Sequence, residues 1–446
     1  MESKDLFEKF LDFFLIKLFN IVMYKFVIKK CEQLKGEINV SGAKNSALPL
    51  MAATLLAPGK YEISNIPALN DIRTMINVLI SLGAVIEWDK NKETLYMDTS
   101  KTESREAPYE LVKTMRASAV VLGPLLARFG KARVSMPGGC AIGARPLDIH
   151  LRGFEELGAK ITVKNGYIEA LTKQKLKGKN ITLSFPSVGA TENLIMAATI
   201  SSGKTIIMNA AREPEIVDLA NMLNKMGAKI SCAGENRIEI TGVKKLQPVN
   251  YSVIPDRIET GTFMIAGSII PGTIKIKNVI TEHSLALITK LRETGVTIEK
   301  SGKNSLVVCA PKRLKPTNIA TMPFPGFPTD MQAQFCALLI LADGVSQVRE
   351  TVFENRFLHT SELNRLGAKI SIDRNTAKIS GVKQLTGAKL TATDLRASAA
   401  LVLAGLAAKG KTEIYRIYHI DRGYERIEKK LGKIGADIQR VETDEM

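Results

Sequence analysis

This sequence is poor in the residues that metal, redox and nucleic-acid chemistry require. Its four histidines, His150, His283, His359 and His419, stand at no metal-ligand spacing from a cysteine or carboxylate, so no zinc site and no other metal is expected. The five cysteines, Cys31, Cys140, Cys232, Cys309 and Cys336, are odd in number, far apart and never in a CxxC pair. No disulfide framework follows, and a reducing cytoplasm is the simplest compartment. Aromatic residues make up 6% of the chain, with one tryptophan, and no basic tract is interleaved with them, which argues against a nucleic-acid surface. Neither GxGxxG nor GxxxxGK[ST] occurs in a strand-to-helix context, removing the Rossmann and P-loop readings.

Acidic charge is also short. Asp and Glu total 45 against 62 Lys and Arg, a formal net charge of +17, which calls for an anionic partner. With nucleic acid set aside, phosphorylated metabolites remain. Long apolar runs are missing too. In residues 1–23, Phe7, Phe10, Leu11, Phe14, Leu15, Leu18 and Phe19 recur at helical spacing among Lys4, Asp5, Glu8, Lys9, Asp12 and Lys17. This amphipathic N-terminal extension is too short and too charged for stable membrane insertion, and it lacks the cleavage site of a signal peptide. It reads as a segment docked on the body, or as a start assigned upstream of Met23.

What the chain does contain is repetition. At 446 residues and 45% hydrophobic content it is too long for a single core. A helix-ending residue, then glycine and a small apolar residue, recurs at a period of about 70 residues: Leu82-Gly83-Ala84, Leu157-Gly158-Ala159, Met226-Gly227-Ala228, Thr294-Gly295-Val296, Leu366-Gly367-Ala368 and Ile434-Gly435-Ala436. Upstream of each, Gly59, Gly130, Gly203, Gly272, Gly344 and Gly410 open short alternating runs, the pattern of a strand after a glycine helix stop. Six units follow, each reading strand, helix, strand, helix, strand, which predicts an α/β fold of βαβ-type repeats. Six units make two halves: residues 44–253 with units one to three, and residues 24–43 with 254–446 holding units four to six plus an opening strand over 24–40. The chain then crosses between halves near Gly42 and near Ile254, a natural hinge beside a cleft.

Two features carry the chemistry. The run Met136-Pro137-Gly138-Gly139-Cys140-Ala141-Ile142-Gly143-Ala144-Arg145-Pro146-Leu147-Asp148-Ile149-His150 reads as a mobile loop, because its glycines make regular structure costly by about 1 kcal/mol each. A thiol there, with Arg145 near enough to favour the thiolate, suits a catalytic lid. Second, charged residues recur where each unit's first helix begins: Lys44, Arg116, Asp330 and Arg396. If those helix N-termini face one cleft, backbone donors and cations together form an anion trap for a phosphate-bearing ligand. Asp330, a lone carboxylate among cations, is the candidate general base. Arg356 and Arg422 follow the glycine-strand marker of units five and six. For any single position the alternative is an ordinary helix cap.

Gly42-Ala43-Lys44-Asn45, Pro137-Gly138-Gly139-Cys140, Gly143-Ala144-Arg145-Pro146, Arg212-Glu213-Pro214-Glu215, Pro328-Thr329-Asp330-Met331 and Asp394-Leu395-Arg396-Ala397 resemble the UDP-N-acetylglucosamine 1-carboxyvinyltransferase family, over essentially the whole chain after Met23. The resemblance implies the enolpyruvyl transferase fold, a two-domain inside-out α/β barrel with three units per domain. It implies transfer of enolpyruvyl from phosphoenolpyruvate to the 3-hydroxyl of UDP-N-acetylglucosamine, releasing phosphate, as the first committed step of peptidoglycan synthesis. No metal or organic cofactor is implied. By the same resemblance Cys140 is the lid acid, and Lys44, Asn45, Arg145 and Arg422 are phosphoenolpyruvate ligands. Arg116, Arg145, Pro146, Leu147, Asp148, Ile149, Ser187, Val188, Gly189 and Val352 contact the nucleotide sugar, and Asp330 faces its hydroxyl. Glu213, Arg356, Asp394 and Arg396 line the cleft. Where some members carry a basic residue before the Ser-Val-Gly segment, this chain has Phe185-Pro186, so that contact is not ionic here. Two alternatives stay open: the sister enzyme acting on shikimate 3-phosphate, which does without the loop cysteine, and an inactive paralogue that only binds nucleotide sugars.

Overall fold

The computed structural model describes residues 23–112, 115–136 and 147–444. The expected amphipathic helix before Met23 and the loop holding Cys140, Arg145 and Pro146 lie outside the described residues. Six four-stranded sheets are present among those described, one for each repeat, and unit two shows the pattern. A short strand, Glu106–Ala107, leads through an inner helical segment ending in Leu122–Phe129 to the strand Lys131–Ser135. An outer helix, Asp148–Glu156, and a hairpin of Lys160–Lys164 with Tyr167–Leu171 complete it. The first two strands run parallel and the hairpin joins antiparallel.

The expected five-element unit is therefore one strand short: the run after each Gly-Ala marker folds back on itself. In unit two the reversal falls at Asn165-Gly166, both at positive φ, the backbone that a two-residue hairpin turn demands. The Gly-Ala marker itself is a Schellman helix stop in all six units. Gly83, Gly158, Gly227, Gly295, Gly367 and Gly435 sit at positive φ, and the following residue donates to the carbonyl five positions back, as Ala84 does to Leu79 at 3.0 Å and Ala436 to Leu431 at 3.2 Å.

The expected opening strand over 24–40 is two strands serving different units. Met23–Lys29 inserts between Lys411–Tyr415 and Ile438–Thr443 in the sheet of unit six, whereas Leu34–Asn39 pairs in parallel with Gly272–Lys277 of unit four. Unit one takes its outer strand from Asn250–Ser252, parallel to Lys60–Ser64. The two connecting segments lie side by side: Gly42 bridges Pro255, Ala43 N–H donates to Ile254 O at 2.7 Å, and Asp256 N–H donates to Ser41 O at 2.9 Å.

Buried apolar side chains form two clusters, one drawn from residues 43–253 and the other from 26–40 with 258–438. Each is centred on helices apolar all round. Lys44–Ala53 buries every residue except Asn45, and Leu395–Ala407 buries 396–406 without a break. Outer helices such as Asn70–Ser81 bury one face, and strands such as Lys60–Ser64 alternate buried and less buried positions. Helices inside and sheets outside invert the common α/β layering, so the polar N-termini of the inner helices are where buried charge can gather.

Candidate active site

Two sequence-predicted residues do cap inner helices. Asp394 Oδ1 accepts from the amides of Arg396 and Ala397 at 2.8 and 3.0 Å, and Ser187 Oγ accepts from the Ala190 amide at 3.4 Å. Asp256, not singled out from sequence, accepts from Ile258 and Glu259 amides at 2.7 and 3.0 Å, and its second oxygen accepts from the Lys44 amide at 3.4 Å. One carboxylate thus ties the start of unit one's inner helix to that of unit four.

Asp330 is no lone carboxylate, contrary to expectation, since Asp71, Asp256 and Glu215 also pair with the site's cations or helix starts. Its two oxygens meet two buried arginines: Oδ1 lies 2.7 Å from Arg356 Nη2 and Oδ2 lies 2.9 Å from Arg396 Nη2. Arg396 also donates to Tyr424 Oη at 3.3 Å. Burial would lower the Arg396 pKa, but Asp330, Tyr424 and Asp256 outweigh it and hold the guanidinium charged. The Asp330 side chain is 27% exposed, whereas those of Arg356 and Arg396 are 3% and 6% exposed. Glu350, 2% exposed, accepts from Thr321 Oγ1 and Thr329 Oγ1 at 2.7 and 2.9 Å and from the Val352 amide at 2.8 Å. It locks the segment before Asp330 to the one leading through Val352 to Arg356.

A second pair of cations shares another carboxylate. Lys44 Nζ lies 3.0 Å from Asp71 Oδ2, and Arg422 Nε lies 2.9 Å from Asp71 Oδ1. Burial alone would raise the Asp71 carboxyl; Lys44 and Arg422 reverse this and hold it below the ordinary carboxylate range. Asn45 is half-buried in the same helical turn as Lys44.

Six of the residues implied for the nucleotide sugar stand at the starts of two helices. Leu147 precedes Asp148–Glu156, which Asp148 and Ile149 open, and Ser187 precedes Val188–Thr199, which Val188 and Gly189 open. Gly189 packs closely there: a Cβ would stand 3.1 Å from the buried His150 ring, which would have to shift by a few tenths of an ångström. Asn193 joins these elements: its amide NH2 faces His150 Nδ1 at 3.0 Å and Ala119 O at 3.1 Å, while Oδ1 accepts from Gly123 N–H at 2.7 Å. Arg116 opens the 3-10 helix Arg116–Val121 that leads to Ala119 and Gly123.

Units three and four contribute acid. Arg257 Nε pairs with Glu215 at 3.0 Å, both buried. Glu213 precedes the helix Pro214–Lys225 and accepts weakly from the Phe324 amide at 3.5 Å. Burial raises its carboxyl, with Arg257 opposing. Among the described residues no cation pairs with Glu192; burial, then the charges of Glu215 and Glu213, push its pKa well up. Among the described residues no group of three or more His, Cys, Asp or Glu could hold a metal ion, and no helix is long and apolar enough to cross a membrane.

Asp71, Glu350 and Tyr424 were not anticipated. For Asp71 a signal existed: it stands twelve residues after Gly59, as Arg356 does after Gly344 and Arg422 after Gly410. The repeat marks that corner in units one, five and six alike.

Comparison with known proteins agrees with this geometry. Residues 28–431 match the family described as EPSP synthase (3-phosphoshikimate 1-carboxyvinyltransferase). The chain is 57% identical over 420 residues to the UDP-N-acetylglucosamine 1-carboxyvinyltransferase of Geotalea uraniireducens, covering 94% of this chain and 100% of that one. To a protein of that name, numbered 1, from Staphylococcus epidermidis it is 52% identical over 420 residues, with the same coverage. Among solved structures, the enolpyruvyl transferase NikO from Streptomyces tendae superposes with a TM-score of 0.85 at 26% identity, over 95% of this chain and 100% of that one. EPSP synthase from Acinetobacter baumannii, at 16% identity and a TM-score of 0.74 over 94% of this chain and 100% of that one, shares the fold. Identity above 50% over nearly the whole chain lies with the two relatives of that name, and the chain belongs to the UDP-N-acetylglucosamine 1-carboxyvinyltransferase family, built on the enolpyruvyl transferase fold.

Proposed function

We propose that this chain transfers the enolpyruvyl group of phosphoenolpyruvate to the 3-hydroxyl of UDP-N-acetylglucosamine in the cytoplasm, releasing phosphate and committing the sugar to peptidoglycan synthesis. The observation that carries this is full-length identity of 57% to a relative of that name. The two shared-carboxylate clusters are compatible with it. Residues 44–253 form one domain, and 24–43 with 254–446 the other.

In the addition step the sugar hydroxyl, accepted by Asp330, attacks C2 of phosphoenolpyruvate while a proton is delivered to C3. Cys140 supplies that proton from the lid. Elimination then removes a proton from C3, re-forms the double bond and expels phosphate. Lys44, Arg145 and Arg422 meet the phosphate, with Asn45 beside them, and their charge counts most as negative charge builds on the leaving group. Arg356 and Arg396 hold Asp330 in place. Arg116, Arg145, Pro146, Leu147, Asp148, Ile149, Ser187, Val188, Gly189 and Val352 bind the nucleotide sugar, and a closed lid keeps water from the intermediate. Asp394 acts as the cap that seats Arg396, and Glu213 buttresses the wall beside Phe324.

The family's description favours shikimate 3-phosphate as a second reading of the acceptor; the Pro137-Gly138-Gly139-Cys140 motif speaks against it. Phosphate release measured with each acceptor decides: turnover with UDP-N-acetylglucosamine alone is expected, and turnover with shikimate 3-phosphate alone would reject the proposal. Cys140→Ala should lose at least about a hundredfold in kcat while retaining UDP-sugar binding, and undiminished turnover would remove Cys140 from the chemistry.

A further inference from the structure

Lys44 and Arg422, 378 positions apart in the sequence, reach the same carboxylate from opposite cores. Asp71 is 5% exposed and belongs to the first turn of Asn70–Ser81, whose Ile72, Met75, Val78 and Leu79 are locked in the core. It cannot swing away without unseating that helix. Arg422 meets it side-on through Nε alone; among the described residues its two Nη groups make no hydrogen bond, and its side chain keeps 39% exposure. Lys44 spends one of its three N–H groups on the same carboxylate. The anion therefore lies behind both cations and leaves their remaining donors free in front. The alternative, a carboxylate standing in for the substrate phosphate until displaced, would need a movable side chain that occupied the guanidinium fork.

We propose that Asp71 is a positioning residue for phosphoenolpyruvate: a fixed brace that holds Lys44 and Arg422 together across the two domains, so that two mutually repelling cations present their free N–H groups to one phosphate. The inference rests on the assignment of those cations to phosphoenolpyruvate. Its consequence is selective. Loss of the brace separates the cations and unseats the phosphate, while the nucleotide-sugar site, built on units two, three and five, keeps its geometry.

The test is steady-state kinetics of Asp71→Asn with both substrates, together with calorimetric titration of inorganic phosphate into wild type and variant. The KM for phosphoenolpyruvate is expected to rise about tenfold, with the KM for UDP-N-acetylglucosamine unchanged within about twofold and phosphate affinity falling in parallel. Asp71→Glu, which keeps the charge one methylene farther out, should recover part of the loss; if the amide variant does not fold, this variant must still raise the phosphoenolpyruvate KM alone. A fall in that KM would reveal a displaced stand-in anion and overturn the proposal, as would equal rises in both KM values. A wild type without turnover would count against the proposed activity, and phosphate titration would then decide the brace by itself. An active wild type with an unselective variant would sink the brace alone.

Discussion

Replacing Lys430 by methionine measures how far buried charge holds the crossing between the two cores. Lys430 Nζ lies 2.7 Å from Glu259 Oε1 and 2.7 Å from Ser41 Oγ, and Glu259 Oε2 accepts from the Ser41 amide at 2.7 Å. Glu259 is 2% exposed, so K430M strands a carboxylate in the interior with one N–H as partner. Removing one member of a buried pair costs roughly 3–5 kcal/mol, a drop of roughly 6–20 °C in Tm for a domain of about 150–250 residues. Burial already holds the Glu259 carboxyl above its ordinary range against the pull of Lys430, and losing Lys430 drives it higher. A carboxyl raised in the folded state keeps its proton where the unfolded chain has released one. Stability is then intact below the unfolded pKa and falls as pH rises through the folded one. Differential scanning calorimetry should therefore show a deficit that is full near about pH 8 and shrinks towards about pH 5. K430M/E259Q, which removes both charges, should regain most of the loss at the higher pH. A deficit under about 2 °C, or one equal at both pH values, would mean that the network contributes shape and not charge.

Two further perturbations read other parts of the same core. Glu192→Gln should raise the melting temperature at about pH 8 by removing a carboxylate whose pKa burial and its acidic neighbours Glu215 and Glu213 push up, worth roughly 1–3 kcal/mol. Because a raised carboxyl destabilises only above its unfolded pKa, the advantage should vanish at acid pH, and identical melting curves at about pH 8 would refute it. Gly42→Ala places a Cβ 1.7 Å from the carbonyl oxygen of Asn65, a backbone atom that cannot yield. Its expected cost is at least about 3 kcal/mol by urea unfolding, and a neutral substitution would show that the paired crossing segments tolerate separation.

What the sequence made legible was whatever repeats. Gly-Ala markers work because a left-handed residue at the end of a helix has one cheap solution, and six outer helices end the same way whatever their length. Cleft positions such as Lys44, Asp330 and Arg396 were visible because charge at the start of an otherwise apolar helix has few bland explanations. The fourth strand of each sheet went unseen because its turn differs from unit to unit: Asn165-Gly166 announces a hairpin, whereas Glu93 and Arg374 adopt positive φ with no glycine beside them. Division of the 24–40 segment between units four and six was equally invisible, since strand partners are chosen by three-dimensional closure and not by local pattern. Asp71 and Glu350 were missed for a third reason: each acts through partners brought to it from remote sequence, and a carboxylate near a helix start looks like an ordinary dipole partner.

Charge placement explains why the expected ring of cations became something more selective. Lys44 and Arg422 share Asp71, and Arg356 and Arg396 share Asp330, so each cluster holds two positive charges against one negative. Burying four bare cations would be prohibitive, and four neutral pairs would attract nothing. A two-to-one ratio is stable enough to fold and leaves one unit of charge per cluster for a ligand to complete. Units three and four answer differently: there Arg257 is balanced by Glu215, and Glu192 and Glu213 are pushed towards protonation. That corner offers an anion little, which under the proposed function leaves the Asp71 pair as the place for a phosphate. The Asp330 pair differs again, because its carboxylate is itself 27% exposed, as the proposed contact with a sugar hydroxyl requires. On the proposed function, two recurring positions of a sixfold repeat thus yield a phosphate corner, a hydroxyl corner and an inert wall, through the choice of a carboxylate partner and its depth.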